Sequence, residues 1–290
     1  MKARQYINMM GMAAAVLLSS CVKDTLYDTP HPDYGKIAVT ADWSARGEGI
    51  DIPATWTVTM GDYTGTETGA THSPDYLFNP GSYTLAVYNP ADGITVSGTT
   101  ATIVQQAETE AFISNAPGWL FTSVQEVAIE ADTDYELTAV MRQQVRELTL
   151  VIEPTGDAAE RIETIEGTLS GAAGTLDFAT GIHSTPSEVE LHFTKITDGD
   201  DAGKWMATVR LLGIAGDAQR LTATLTYTDG NPQPTSLNSD LTAALDDFND
   251  GKTSPLTLGG TIAETPGEAG FTGEISGWEK VDGGGVDAEM

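Results

Sequence analysis

From Lys36 onward, apolar and polar residues alternate along most of the chain with a period of two. Threonine is frequent at the polar positions, as is common on the exposed faces of strands. This alternation predicts half-buried antiparallel β-strands rather than helices. In chain order, the apolar stripes fall at residues 37–43, 56–60, 83–87, 135–141, 148–152, 189–193, 205–211 and 221–227.

Two stretches depart from this period and favour helical structure. Residues 155–161 allow one or two capped turns. Residues 239–250 are the stronger case, because Leu237, Leu241, Leu245 and Phe248 recur at helical spacing and Gly251 can end the helix. Between two of the stripes, the polar segment of residues 196–203 predicts a hairpin loop.

The stripes form two series of similar length, and the alternation is weakest at residues 141–146. We therefore predict an all-β fold of two β-sandwich domains in tandem, with a short surface helix in the second. The predicted bounds are residues 36–145 and residues 146–278. Residues 279–290 are rich in glycine and acidic side chains, which predicts a flexible tail.

The first twenty residues have the pattern of a removable secretory signal. Lys2 and Arg4 precede a short apolar run, and the small residues Ser19 and Ser20 precede Cys21, the only cysteine of the chain. This arrangement resembles a bacterial lipobox, in which the new N-terminal cysteine carries lipid. The alternative is an ordinary signal peptide followed by a chance cysteine. Residues 21–35 contain two prolines and no periodicity, which predicts an extended tether.

The charge of the chain limits its partners. Fourteen basic residues stand against 42 acidic ones, giving a formal net charge of −28. Such a field repels phosphate backbones and anionic lipid headgroups, so we expect no nucleic acid partner and no basic membrane-binding face. Because no stretch after Leu18 is long and apolar enough to span a bilayer, membrane attachment would come from the lipid on Cys21.

The sequence offers little catalytic chemistry. No nucleotide-binding loop, serine-nucleophile motif or zinc-protease motif is present, and lipidation of Cys21 would leave no free thiol. His192 with Glu188 and Glu190 is better explained as a solvated strand face than as a zinc site. Asp198, Asp200 and Asp201 fail the spacing of a calcium-binding EF-hand, which leaves weak surface calcium as the alternative. We predict no enzyme activity and no cofactor besides the covalent lipid.

Tryptophans raise the question of sugar binding. Trp56 and Trp205 fall on apolar stripes, which predicts that they are buried in the core. Trp119 alone lies in a clear loop. It is the residue on which an alternative function, that of a surface glycan-binding lipoprotein, would depend.

Several segments together resemble the FimB/Mfa2-like fimbrial lipoproteins of Bacteroidetes, the anchor and accessory subunits of type V pili. They are the lipobox, Lys23-Asp24, the proline-containing tether, IAV at 37–39 with Asp42-Trp43, IEGTLSG at 165–171, LDFATG at 176–181, LDDFNDGK at 245–252, LTLGG at 256–260 and Gly277-Trp278. The resemblance implies two transthyretin-like sandwiches, surface exposure on the outer membrane, and strand exchange with stalk or accessory pilins. An adhesive tip subunit of the same pilus would share this fold.

Two sites follow from the resemblance. In polymerising subunits of this kind, proteolysis after a basic residue frees the first strand, and Arg46 stands at the corresponding place. The alternative, which we favour, is that Arg46 is an ordinary loop residue, as suits an anchor, because the cut would separate Cys21 from the body. For contact with the first stalk subunit, the terminal strand of residues 271–278 is the candidate, with Phe271, Ile275 and Trp278 as its contact residues.

Overall fold

The computed structural model describes residues 33–106, 112–156, 159–230, 233–267 and 270–281, with the backbone alone described for Asp229, residues 263–267, residues 270–274 and Ser276. The fold is all-β and sandwich-like, as predicted. Helical structure in the described residues is limited to single 3₁₀ turns at Ala159–Arg161 and Thr228–Gly230. None of the described helices has the length or apolar character to span a bilayer.

The first half of the chain builds two facing sheets. One has the order β4-β1-β9 and the other the order β10-β8-β5-β2-β3. Their inward side chains form the first core, around Trp56, Phe78, Leu85 and Phe121. The strands are β1 (Lys36–Asp42), β2 (Trp56–Met60), β3 (Tyr63–Glu67), β4 (Thr71–His72), β5 (Gly81–Tyr88), β8 (Phe121–Ile129), β9 (Asp134–Val140) and β10 (Arg142–Gln143).

The second half builds a larger sheet that folds around a second core. Eight of its strands have the order β16-β15-β12-β13-β14-β11-β17-β18. Leu148, Leu150, Leu191, Val209 and Phe248 are among the side chains that they bury. The strands are β11 (Arg146–Thr155), β12 (Ile162–Asp177), β13 (Ile182–Lys195), β14 (Trp205–Leu211), β15 (Arg220–Tyr227), β16 (Thr235–Asp240), β17 (Leu256–Gly267) and β18 (Gly270–Lys280).

One hairpin from the first half of the chain belongs to the second core. Strands β6 (Ile94–Ser97) and β7 (Thr100–Ile103) pair with each other, and β7 also pairs antiparallel with the last residues of β12. The side chains of Ala101 and Ile103 are buried in the second core. The two cores therefore do not divide the chain at one point, and the domain bounds given above stay a prediction.

Two pairs of the described strands are parallel, whereas the alternation predicts antiparallel strands throughout. β1 pairs in parallel with β9 over seven residues, and β11 pairs in parallel with β17 over eight. Period-two alternation reports which side chains face a core, but not the direction of the neighbouring strand. Direction depends on how the chain returns between paired strands, and β1 and β9 are separated by more than ninety residues.

The helix predicted for residues 239–250 is wrong. Ser239 and Asp240 continue β16, pairing with Leu221 and Arg220 of β15, and the following residues form consecutive turns. The carboxylate of Asp240 accepts hydrogen bonds from the Thr242 backbone and hydroxyl at 2.9 and 2.6 Å, which closes a turn directly after β16. The apolar positions were nevertheless identified correctly, since Leu237, Leu241, Leu245 and Phe248 are all buried.

Other local predictions have clear outcomes. The hairpin loop after β13 is confirmed, because Thr194 and Lys195 pair with Met206 and Trp205 across it. For residues 155–161, the structure has the end of β11 and the 3₁₀ turn Ala159–Arg161. Glu279 and Lys280, predicted to begin a flexible tail, belong to β18 instead. Residues 282–290 lie outside the described part.

Candidate functional site

A tight turn follows β1 and contains the candidate processing residue. Arg46 is exposed, but its guanidinium donates hydrogen bonds to the carbonyl oxygens of Ile50, at 2.8 Å, and Trp43, at 3.3 Å. The next residue, Gly47, is buried, and its N–H donates to Oε1 of Gln143 at 2.8 Å. A protease needs an extended peptide in its active site, so the turn must open before the bond after Arg46 can be cut.

Gln143 belongs to the short segment that connects the two cores. Its side-chain nitrogen donates to the carbonyl oxygens of Val145, at 2.9 Å, and Lys252, at 2.6 Å. A Cβ on Gly47 would lie 2.6 Å from the carbonyl oxygen of Thr253, so glycine allows the close approach of these segments. Gln143 therefore joins the turn after β1 to the segment before β17.

Arg146 fixes the same segment from the side of the second core. The side chain is only 8% exposed, and burial lowers the pKa of its guanidinium. Its Nε donates to the carbonyl oxygen of Ser254 at 2.8 Å, and its Nη1 donates to that of Phe248 at 2.9 Å. The guanidinium also lies 5.1 Å from the centroid of the Phe248 ring. We call Gln143, Gln144 and Arg146, with residues 247–254, the joint.

A lysine–histidine pair completes the joint. Nζ of Lys252 lies 3.0 Å from Oε1 of Gln144 and 3.1 Å from Nε2 of His183, the second residue of β13. Burial lowers the pKa of Lys252 to about 8. Burial, together with the charge of Lys252, lowers the pKa of His183 to about 4, so the imidazole is neutral at pH 7 and accepts the hydrogen bond. Period-two reasoning could not find this pair, because its members are 69 residues apart.

The three predicted contact residues have different positions on the terminal strand. Ile275 is buried, and its carbonyl oxygen accepts a hydrogen bond from the Ser239 hydroxyl at 2.6 Å. Nε1 of the half-buried Trp278 donates to the same hydroxyl at 2.7 Å. These bonds join β16 to β18, the two ends of the larger sheet. Ile275 and Trp278 therefore support the fold itself, and the backbone of Phe271 lies farther out on β18, paired with Pro266.

The first core is open along one side. In the described chain, one edge of β8 is paired only at Phe121 and Thr122, where β10 lies beside it. One edge of β9 has no paired strand in the same part of the chain. A groove of about 510 Å³ follows these edges, with Val124, Val140 and Phe178 in its walls. Unpaired edges of this kind can accept an added strand. Cys21 lies outside the described residues.

Two of the side chains considered for metal binding, His192 and Asp201, have other partners. Nδ1 of His192 lies 2.8 Å from a carboxylate oxygen of Glu166 on the neighbouring strand, and the pair is largely exposed. In the loop after β13, Asp201 accepts from Nζ of Lys204 at 2.6 Å. Throughout the described residues, no three His, Cys, Asp or Glu side chains are placed to hold a metal ion together.

The predictions for the tryptophans can be compared directly with burial. Trp56 and Trp205 are buried, as predicted. Trp119 is half-buried and packs against both cores, with the Arg210 guanidinium 5.4 Å from its ring centroid. Its carbonyl oxygen also accepts from Nδ2 of Asn89 at 2.8 Å. Its contacts are those of a packing residue, so no geometry here favours glycan binding through its ring.

Comparisons with known proteins agree with this architecture. The fimbrial anchor protein Mfa2 from Porphyromonas gingivalis matches with 13% identity and a TM-score of 0.58, covering 85% of this chain and 97% of that one. A Bacteroides ovatus protein named as a candidate adhesin matches with 18% identity and a TM-score of 0.55, covering 88% and 95%. At these identities the likeness shows the fold. No curated protein matches the sequence.

A family model gives the assignment. The model described as fimbrillin-A associated anchor proteins Mfa1 and Mfa2 matches residues 58–282, well over half of the chain. Its members are structural proteins of fimbriae, which supports a fimbrial or adhesin-related role at the cell surface, in association with fimbrial stalk subunits. The chain belongs to the family of fimbrillin-A associated anchor proteins Mfa1 and Mfa2.

Proposed function

We propose that this protein is an outer-membrane lipoprotein that attaches or nucleates a fimbrium. In this proposal, lipid on Cys21 holds one end of the molecule and a strand of a partner pilin pairs at the other. The observation that supports it most is the direction of the strands. β1 begins beside the N-terminal segment and runs toward the joint, and β11 and β17 begin at the joint and run away from it.

The far end of the molecule carries a projecting hairpin. β11 pairs with β17 only as far as Ala263, whereas β17 and β18 pair with each other to Gly267 and Gly270. The four further residues of β17 extend the hairpin ~13 Å past its pairing with β11. Beyond Ala263, β17 pairs in the described chain with β18 alone. We propose that the partner strand pairs along this part, near Phe271, and that Ile275 and Trp278 hold the hairpin in place.

The state of β1 supports an anchor rather than a polymerising subunit. β1 pairs with β9 on one edge and with β4 on the other. The turn that follows it is held by the hydrogen bonds of Arg46 and Gly47. We therefore propose that Arg46 is not processed and that β1 stays in place, which keeps Cys21 joined to the body.

Shortening the hairpin tests the proposed partner contact. We expect that replacing residues 265–272 with a two-residue Asn-Gly turn abolishes co-purification of a pilin with the membrane-bound protein. The body should remain folded, because the deleted residues lie beyond the pairing of β17 with β11. The measurement is a pull-down from solubilised membranes, read by mass spectrometry.

The matched control shortens the loop of residues 197–203, which lies at the same end of the molecule between β13 and β14. This control should retain the pilin. Equal loss of the pilin in both variants, or retention in both, would contradict the assignment of the contact to the hairpin. If no pilin accompanies even the unaltered protein, the proposed function is itself wrong.

A further inference from the structure

An exposed aromatic cluster covers the end of the molecule at which β1 begins. The Tyr76 ring lies 4.7 Å from Phe78 and 5.1 Å from Tyr63, measured between centroids. Phe78 is buried, whereas Tyr76 and Leu77 are 40% and 45% exposed. We call this surface the aromatic pole; its side chains are Tyr34, Tyr63, Tyr76, Leu77 and Tyr83.

Hydrogen bonds fix two tyrosines of the aromatic pole. The hydroxyl of Tyr63 lies 2.6 Å from Nε2 of His72, and the hydroxyl of Tyr83 donates to the carbonyl oxygen of Asn79 at 3.0 Å. Seven large hydrophobic side chains are exposed in the described chain, and Tyr34, Tyr76 and Leu77 are three of them. Their concentration at one end indicates a surface with a partner, because exposed apolar side chains are ordinarily scattered.

The N-terminal segment joins the body at this same end. Gly35 and Phe78 exchange two backbone hydrogen bonds, of 2.9 and 3.0 Å, which place the neighbouring residue Tyr34 in the aromatic pole. Twelve residue steps separate Cys21 from Asp33. Even a fully extended chain of that length spans at most about 40 Å. A lipid on Cys21 would thus keep the pole close to the membrane surface.

We propose that the aromatic pole rests on the headgroup layer of the membrane that holds the lipid of Cys21, which turns the projecting hairpin outward. Tyrosine favours this layer because its ring is apolar and its hydroxyl polar. The affinity of the pole alone for the membrane can be weak. The short chain between Cys21 and the body holds the pole near the membrane at an effective concentration on the order of millimolar. This proposal rests on the proposed function, since it requires the lipid on Cys21.

The charges around the pole specify the lipid. Besides Glu67, whose carboxylate lies 3.4 Å from the His72 ring that contacts Tyr63, six carboxylates flank it, against one lysine, Lys36. Because like charges repel, the contact should form on zwitterionic headgroups and weaken on anionic ones. The six flanking side chains are those of Asp33, Asp62, Asp75, Glu130, Asp132 and Asp134.

A single fluorophore tests the contact. Cys21 is the only cysteine, and acylation occupies its thiol, so Leu77→Cys in the acylated full-length mature chain gives one labelling site. The matched control is Ile182→Cys, which is 62% exposed at the turn between β12 and β13, away from the pole. With an environment-sensitive label in phosphatidylcholine vesicles, we expect a blue shift at position 77 and none at position 182. A spin-labelled headgroup lipid should quench position 77 several-fold more strongly.

Equal quenching at the two positions would overturn the proposal, as would a blue shift at position 77 without vesicles, which would indicate contact between protein molecules. Stronger quenching in phosphatidylglycerol vesicles would contradict the role assigned to the carboxylates. Flotation with the vesicles separates this proposal from the proposed function. Protein that floats while position 77 remains in water retains its anchor and lacks only the contact. Protein that carries no acyl group and does not float would overturn both.

Discussion

Replacing Cys21 with alanine will release assembled fimbriae from the cells into the medium, and both cores will remain folded. Burial of acyl chains contributes about 0.8 kcal/mol for each methylene group, so their loss removes the main attachment. The acidic body cannot replace it, because a formal net charge of −28 opposes binding to anionic headgroups. Immunoblots of cells and medium for this protein and for the pilin measure the release.

The control for this variant is Ser20→Ala, which keeps the cysteine and a small residue before it. It should leave fimbriae on the cells. The thermal unfolding of the released Cys21→Ala protein should match that of the parent, since the substitution changes none of the side chains described in the two cores. Fimbriae that stay attached to cells in the Cys21→Ala strain would contradict anchoring through this residue.

Replacing Arg146 with alanine will destabilise the fold more than any other single change at the joint. The variant leaves the carbonyl oxygens of Phe248 and Ser254 without their donor and removes the contact with the Phe248 ring. Breaking one side of such a buried, charge-assisted set costs about 3 kcal/mol. For a chain of this size, that loss lowers Tm by roughly 6–12 °C. Urea and thermal unfolding of the full-length chain measure it.

Two variants make this result specific to the geometry. Arg142→Ala removes the same side chain four residues earlier, where it is exposed, and should change stability by no more than about 0.5 kcal/mol. Arg146→Lys keeps the charge but not the planar fork, so it should recover only part of the loss. If Arg146→Ala and Arg142→Ala unfold at the same temperature, the joint does not depend on this guanidinium.

The strands were predictable because their signal is local. The expected beginning of the first strand at Lys36 agrees with β1, and the stripes at residues 148–152, 205–211 and 221–227 fall within β11, β14 and β15. Each of these strands has one face on a core, so alternation along the chain is enough to find it. The burial of Trp56 and Trp205 follows from the same rule.

The errors arose where the structure depends on distant contacts. Helical spacing from Leu241 to Phe248 identified the buried side chains, but the backbone there forms turns. The carbonyl oxygen of Phe248 accepts a hydrogen bond from the Arg146 guanidinium, 102 positions earlier in the chain. The parallel pairing of β11 with β17 joins residues more than a hundred positions apart. Neither feature leaves a periodic signal in its own segment.

The candidate site was only partly predictable, for the same reason. Cys21 and Arg46 could be singled out because a signal pattern and a lone basic residue in a loop are visible in the sequence. The hydrogen bond from Gly47 to Gln143 crosses 96 positions, and this contact supports the proposal that the bond after Arg46 is not cut. For Ile275, the sequence indicates only an apolar side chain. Its burial, and the hydrogen bond from Ser239 to its carbonyl oxygen, depend on the folded sheet.

The central claim is that the lipid-bearing N-terminus stays covalently joined to β1 and to the body. Peptide mapping by mass spectrometry of the protein extracted from cell surfaces tests it directly. We predict an N-terminal peptide that begins at acylated Cys21, and an uncut peptide bond between Arg46 and Gly47. A mature protein on cells that begins at Gly47 would contradict the account.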